Sequence, residues 1–320
     1  MSIKNLYYSV INLSSNIMEK ITTCDMAAKI YKFIFQFGVF PKPKNFKSIV
    51  GSLNIEENLV YESSINNNNK LDIYYPKNTK EKLPVIMWVH GGGYIANSKE
   101  TVKNYMITLA NEGFVVVNID YALSPEYRYP TQIIQSNDAL EYVWNNIEKF
   151  NGDREKIFIG GDSAGAQISS QLGAIISNNN LANSMGIKPS IDNEVLKGVI
   201  LFCGLYDMDT VRKTKFPGIQ TYMESLTGVK EFEKYEKINE LSTVKNITEN
   251  YPSTFITVGD ADPFNIQGRD LSNKLKDLGV KVNEKFFDKN GLWHEYQFKF
   301  SLKEAKDNFN SLVSFMKECA

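Results

Sequence analysis

The sequence predicts an α/β fold, a mostly parallel sheet covered by helices, and two observations carry that expectation. Short apolar runs bounded by turn residues alternate with stretches of helical periodicity, and the alternation continues from about residue 70 to the C-terminus. The length of 320 residues, with 42% hydrophobic and 23% charged side chains, suits one large domain of that class and excludes a disordered or fibrous chain.

Taken in order, the apolar residues Ile3, Leu6, Tyr7, Val10, Leu13, Ile17, Met18 and Ile21 recur at three and four, which predicts a helix, and Ala27 to Phe37 repeats the pattern more weakly. Asn66 to Asn69 reads as a surface turn. Strands are expected at Leu71–Tyr75, Val85–Val89, Phe114–Ile119, Lys156–Ile159, Val195–Phe202, Thr254–Val258 and Val280–Phe287. Helices are expected at Val102–Asn111, Thr131–Phe150, Ala164–Ile176, Gln267–Leu278 and Leu302–Met316. Leu205 to Asn246 is too long for a plain connection between strands and predicts a helical insertion.

Composition narrows the chemistry. The 36 basic and 37 acidic residues leave a net charge of -1 with no basic run, so nucleic acid is not an expected partner. Cys24, Cys203 and Cys319 are odd in number and far apart, which gives neither a disulfide framework nor a C-x-x-C motif and suits a reducing cytoplasm. With two histidines, His90 and His294, neither near a cysteine in sequence, no metal site is expected. Asn12, Ser14, Ser15 and Asn16 interrupt the N-terminal apolar stretch before a signal peptide develops, and no window has about 18 consecutive apolar residues, so stable membrane insertion is not expected.

The strand Lys156–Ile159 runs into Gly160-Gly161-Asp162-Ser163-Ala164-Gly165 and then a helix, the strand, tight turn and helix context of a G-x-S-x-G nucleophile elbow. Alone the match is weak, since one is expected by chance roughly one time in ten. His90-Gly91-Gly92-Gly93 after the strand Val85–Val89 is the stronger signal, on the order of one in two thousand by chance. Acyl transfer develops negative charge on a carbonyl oxygen, and backbone N–H groups reach it only where no side chain blocks the approach. The N–H groups of Gly92, Gly93 and Ala164 are the expected oxyanion hole, with Gly91, Asp162 and a bracing His90 as structural support.

A serine needs a base, and once His90 is committed to the glycine loop, His294 remains. The orienting acid should follow Thr254–Val258, where Gly259-Asp260-Ala261-Asp262-Pro263 offers Asp260 and Asp262. Either gives the order serine, acid, histidine. No cofactor is required for this chemistry. Tyr94, beside the glycine loop, and Tyr206, at the start of the insertion, are candidate substrate contacts.

These motifs, together with Asp120-Tyr121-Ala122-Leu123-Ser124-Pro125-Glu126 and Asp262-Pro263, resemble the hormone-sensitive-lipase-like family of carboxylesterases over roughly residues 55 to 318. The resemblance implies the α/β-hydrolase fold with a mostly parallel eight-stranded sheet, hydrolysis of short-chain acyl esters through Ser163, His294 and Asp262, and a small-molecule ester substrate. It implies a helical cap built from residues 1–50 and 205–246 over a core of 51–204 and 247–320. The pattern is departed from at Ala122, where the family often has Arg, at Phe264, where Leu is usual, at Ile266, where an acid is common, and at Glu295-Tyr296, where a small residue and Phe usually follow the histidine. Amide or formamide hydrolysis with the same residues, and ligand binding without catalysis on this scaffold, are the competing readings. Monomer and homodimer are both left open.

Overall fold

A computed structural model describes residues 23–35, 39–65 and 67–320; the helix expected from Ile3 to Ile21 lies outside them. Eight strands form one sheet in the order β1-β2-β4-β3-β5-β6-β7-β8. They are β1 Leu53–Val60, β2 Lys70–Pro76, β3 Leu83–Val89, β4 Val115–Ile119, β5 Gly152–Asp162, β6 Leu196–Phe202, β7 Thr254–Val258 and β8 Val282–Phe286. β1 and β2 pair antiparallel with their neighbours, and every pairing from β4 through β8 is parallel.

The central strands are apolar on both faces because helices cover both. Val85, Met87, Val89, Ile157 and Ile159 point to one side, where they meet Leu140 and Val143 of the helix Thr131–Asn146, Ile168 and Leu172 of Ala164–Ser177, and Leu271 and Leu275 of Asn265–Asp277. Ile86, Trp88, Phe158, Ile200 and Phe202 point to the other, against Val102 and Met106 of Lys99–Ala110 and Leu312 and Met316 of Lys303–Cys319. At the carboxyl ends Val89 is in register with Gly161, and Asp162 with Phe202, so the loops after β3 and β5 leave the sheet side by side. This is where open α/β sheets place their sites.

Residues 205–246 hold the turn Val211–Thr214, the helix Ile219–Thr227 and the shorter pieces Phe232–Lys234, Ile238–Leu241 and Thr243–Asn246. The helix Cys24–Phe35 lies across Ile219–Thr227: Cys24 Sγ is 3.4 Å from Ser225 Oγ, and the rings of Tyr31 and Tyr222 are 5.3 Å apart. The short helix Phe46–Gly51 packs elsewhere, on β1 and Lys99–Ala110, with Ile49 buried. Among the described residues no helix is long and apolar enough to cross a membrane.

β1 was not among the expected runs, for a physical reason. It is an edge strand, broken by a bulge between Glu56 and Leu59 and carrying exposed polar groups, so it lacks the apolar run that marks the inner strands. The bulge turns Asn58 to a φ of 58° and delivers its N–H to Asp72 Oδ1 at 2.8 Å.

Asp72 is a buried carboxylate that gathers the edge of the sheet. Tyr74 donates its hydroxyl to Oδ2 at 2.8 Å, and Lys99 Nζ lies 2.9 Å from Oδ1 with only 3% of its side chain exposed. The backbone N–H of Lys99 donates to Asp120 Oδ1 at 2.7 Å, and Asn118 Nδ2 donates to the Lys99 carbonyl at 2.7 Å, fixing the start of this helix to the end of β4. Breaking one partner out of such a pair leaves an uncompensated charge in the interior. Lys99→Met is therefore expected to lower the unfolding free energy by about 3–5 kcal/mol. Urea denaturation followed by circular dichroism measures this, and a loss below about 1 kcal/mol would mean that Asp72 does not depend on the lysine for its charge.

Candidate active site

The site is assembled from four loops at the carboxyl ends of β3, β5, β7 and β8. Ser163, the residue after β5, has φ 52° and ψ −117°, outside the comfortable regions for an L-residue, and its N–H donates to the Phe202 carbonyl of β6 at 2.8 Å. The chain then enters the helix Ala164–Ser177. Strand and helix cross so closely that a β-carbon at Gly165 would stand 2.0 Å from the Val89 carbonyl oxygen. Only glycine fits there.

His294 Nε2 is 2.9 Å from Ser163 Oγ, and His294 Nδ1 is 2.7 Å from Asp262 Oδ2. Asp262 Oδ1 accepts the Phe264 N–H at 2.9 Å, which fixes the carboxylate. Nδ1 thus carries a proton toward Asp262, leaving Nε2 to face the serine as acceptor. Burial disfavours the charged ring, but the adjacent carboxylate outweighs it and holds the histidine well above its ordinary value of 6.5.

The second aspartate does different work. Asp260 Oδ2 accepts the N–H groups of Asn290 and Gly291 at 2.8 and 2.9 Å, and Oδ1 that of Leu292 at 2.7 Å. Burial would raise the Asp260 carboxyl, yet these three donors hold it below its ordinary value. Asp260 ties the histidine loop to the end of β7, while Asp262 touches the ring.

After β3, His90 is fully buried and its ring stacks on Tyr121 with centroids 4.4 Å apart. Its Nδ1 bonds the Gly91 carbonyl at 2.7 Å, the Tyr121 hydroxyl donates to the His90 carbonyl at 2.9 Å, and burial lowers the imidazole to about 4, so it is neutral and braces the loop. Gly91 N–H donates to Asp162 Oδ2 at 2.9 Å, and Trp88 Nε1 donates to Asp162 Oδ1 at 2.9 Å. Gly92 follows at φ 115°, where a β-carbon would meet the Ala96 carbonyl oxygen at 2.2 Å. No hydrogen bond among the described residues uses the N–H of Gly92, Gly93 or Ala164.

Tyr94 and Tyr206 stand apart from this group. Each is 1% exposed; Tyr94 donates its hydroxyl to Gln167 Oε1 at 3.1 Å, and the Tyr206 hydroxyl accepts the Gly204 N–H at 3.2 Å. Both are buried in the packing. Other aromatic groups stand at the site. Phe216 from the insertion stacks on Phe264 at 4.3 Å and meets the His294 ring edgewise at 4.7 Å, while Tyr222 crowds Gly93. Nothing in the sequence separates these from its 19 Phe and 17 Tyr. Under this cover Ser163 is only 7% exposed.

Cys203, at the end of β6 with φ 43°, is buried, and burial pushes its thiol up to about 11. Its sulfur, the Asp262 carboxylate and a His294 nitrogen lie within 4.8 Å of one another. The 2.7 Å between Nδ1 and Oδ2 is a hydrogen-bond length. Two ligands at about 2 Å from one zinc ion stand farther apart, at about 3.3 Å in a tetrahedron, so the set as folded fits a shared proton better than a cation.

The BD-FAE family model matches residues 71–275. The chain is 24% identical over 196 residues to esterase LipC of Mycobacterium tuberculosis, covering 60% of this chain and 48% of that protein. It is 28% identical over 221 residues to the acetyl esterase of Salmonella schwarzengrund, covering 64% and 62%. The chain thus spans between about half and two thirds of the length of these two relatives. Among solved structures, esterase B of Lactobacillus rhamnosis with a C4-C4 tributyrin phosphonate superposes with a TM-score of 0.76 over 97% of this chain and 96% of that one, at 18% identity. That likeness bears out the mostly parallel, helix-covered fold expected from the sequence.

The crossing of β3 and the serine helix gives a direct test. Gly165→Ala forces a methyl against the Val89 carbonyl and is expected to cost about 3 kcal/mol, measured as a fall in Tm. An unchanged melting curve would mean that the helix can withdraw from the strand freely.

Proposed function

We propose that this chain, which belongs to the BD-FAE family among the hormone-sensitive-lipase-like α/β-hydrolases, is a serine carboxylesterase acting on small esters of short acyl chains. The observation that supports this reading is the unbroken hydrogen-bonded series from Asp262 through His294 to Ser163, at 2.7 and 2.9 Å. An ester bound with its carbonyl carbon over Ser163 is attacked by Oγ as His294 Nε2 takes the proton, and Asp262 stabilises the imidazolium that forms. The oxyanion is received by the unused N–H groups of Gly92, Gly93 and Ala164, the last at a helix N-terminus whose partial positive charge favours it. Nε2 returns the proton to the leaving alkoxide, and a water activated by the same nitrogen then releases the acid.

In this reading the acyl group lies near Phe216 and Phe264, whose rings meet the His294 ring, and near Tyr222, which crowds Gly93. The insertion 205–246, with the helix Cys24–Phe35 across it, is proposed as the cap.

Hydrolysis of a chromogenic butyryl ester is expected from the wild type, with Ser163→Ala lowering kcat by on the order of a millionfold. Equal inactivity of both proteins across acyl lengths would favour a binding protein, and faster turnover of a formamide than of the ester would favour an amidase. His294 works only when neutral, so protonation silences it. Because Asp262 raises its pKa, activity should be lost on acidification with a midpoint above about 6.5, and Asp262→Asn should move the remaining activity's midpoint downward. A rate flat down to about pH 4.5 would exclude His294 as base.

A further inference from the structure

We propose that Gln167 is a positioning residue through which the insertion 205–246 sets the place of the oxyanion donor Gly93, by way of a buried chain of hydrogen bonds that ends on Tyr94. This rests on the reading of Ser163 and of the oxyanion hole given above and extends it to a side chain that stands outside the reacting group.

Gln167 and Gln171 lie four residues apart on the helix that follows Ser163, so they share one face, and both are buried. Gln167 Nε2 donates to the Leu241 carbonyl at 3.1 Å and Gln171 Nε2 to the Glu240 carbonyl at 2.9 Å, both on the short helix Ile238–Leu241 of the insertion. A carbonyl can only accept, so these two bonds fix which end of each amide is the nitrogen. The rest of the chain then runs one way. Tyr94 donates its hydroxyl to Gln167 Oε1 at 3.1 Å, and Gln167 Nε2 donates to Gln171 Oε1 at 3.0 Å. Gln171 Nε2 donates to the Tyr129 hydroxyl oxygen at 2.6 Å, and Tyr129 donates to Glu240 Oε2 at 3.2 Å. Successive donors aligned toward one acceptor strengthen one another away from water. Tyr129 grips the insertion a second time, its N–H on the Leu226 carbonyl at 3.0 Å.

The other end of the chain is the glycine loop. Gly92, Gly93 and Tyr94 have φ of 115°, 60° and 66°, three left-handed residues in succession, and Tyr94 lacks the freedom of a glycine. Such a conformation persists only where its surroundings hold it. Tyr94 is held at two polar points, its hydroxyl by Gln167 and its carbonyl by the Ser124 N–H at 2.9 Å. Gly93 directly precedes it, so the placement of Tyr94 orients the Gly93 N–H. Ala164, the third proposed donor, opens the same helix one turn before Gln167. Three N–H groups from two loops have to converge on one oxygen, and the bond from Tyr94 to Gln167 spans those two loops. If the insertion moves off the helix, Gln167 loses its Leu241 partner and the anchor of Tyr94 is free to turn. The donors are then misdirected while Ser163, His294 and Asp262 stay in place. The loss appears in kcat and not in KM, because the oxyanion exists only in the transition state and the intermediates beside it.

The test measures kcat and KM for a butyryl ester, and inhibition by a trifluoromethyl ketone whose adduct with Ser163 carries the oxyanion. It uses the full chain as wild type, Tyr94→Phe, Gln167→Met, the two combined, and Ser170→Ala. Tyr94→Phe removes one hydroxyl, and Gln167→Met keeps the length of the side chain without its amide. Removing an oxyanion donor outright costs on the order of a hundred- to a thousandfold, so misdirecting one should lower kcat by about tenfold in each variant, with KM unchanged. The inhibition constant should rise by the same factor, and the acid midpoint set by His294 should not move. The two substitutions break one bond, so the combined variant should fall no more than about twofold below the worse single one. Ser170→Ala removes a different buried bond to the insertion, 2.7 Å to Thr243 Oγ1, and should lower Tm while keeping the wild-type kcat. If Gln167→Met does not fold, Tyr94→Phe decides alone, since phenylalanine fills the same space. A wild-type kcat in Tyr94→Phe, losses that multiply in the combined variant, or an equal loss in Ser170→Ala overturns the inference while leaving the esterase reading intact. A wild type no more active than Ser163→Ala overturns both.

Discussion

The approach of two backbones governs this molecule: at Gly165 the helix after Ser163 passes so near the end of β3 that the Val89 carbonyl leaves no place for a side chain. From that approach follow the sharp turn at Ser163, its unfavourable φ, and the placement of its hydroxyl above the sheet, 2.9 Å from His294 Nε2. The same crossing brings Asp162 against the glycine loop that follows β3, so that one carboxylate can hold Gly91 and Trp88 together. Packing in the sheet and geometry at the site are therefore one problem. The apolar runs of β3, β5 and β6 exist to hold still the few residues beyond their ends.

Much of this was legible in the residue order because it depends on local rules. Buried parallel strands read as apolar runs, covered helices as three-four periodicity, and the elbow as glycines spaced around a serine. Both Asp260 and Asp262 follow β7, and the resemblance is what favours Asp262; the fold puts Asp262 on the imidazole and has Asp260 holding Asn290, Gly291 and Leu292. β1 escaped notice because an edge strand with a bulge has few apolar residues to announce it. Phe216 was invisible for another reason. Nothing near it in sequence distinguishes it from any other phenylalanine, and its contact with His294 spans residues brought together by the whole sheet.

Carboxyl groups in this fold are sorted by what surrounds them. Asp260 is surrounded by N–H donors that hold it below its ordinary value, Asp72 is matched by Lys99 and a tyrosine, and Asp162, raised by burial, accepts from both the Trp88 indole and the Gly91 N–H. Identical functional groups serve as an anchor, an ion-pair partner and a hydrogen-bonded clasp. The differences come from backbone placement, not residue type, which is why acidic residues in a sequence say so little by themselves.

The indole of Trp88 adds an optical consequence. It is fully buried, edge-on to Phe202 with ring centroids 5.0 Å apart, and its Nε1 proton rests on Asp162. Indole emission responds to electric fields along the ring, so a change of charge on that carboxyl would shift the colour and yield of this residue's fluorescence while the two other tryptophans respond to their own surroundings. The chain therefore contains an intrinsic dye seated one hydrogen bond from the residue that precedes its serine, and the electrostatic state of the site can be followed by light without attaching a label.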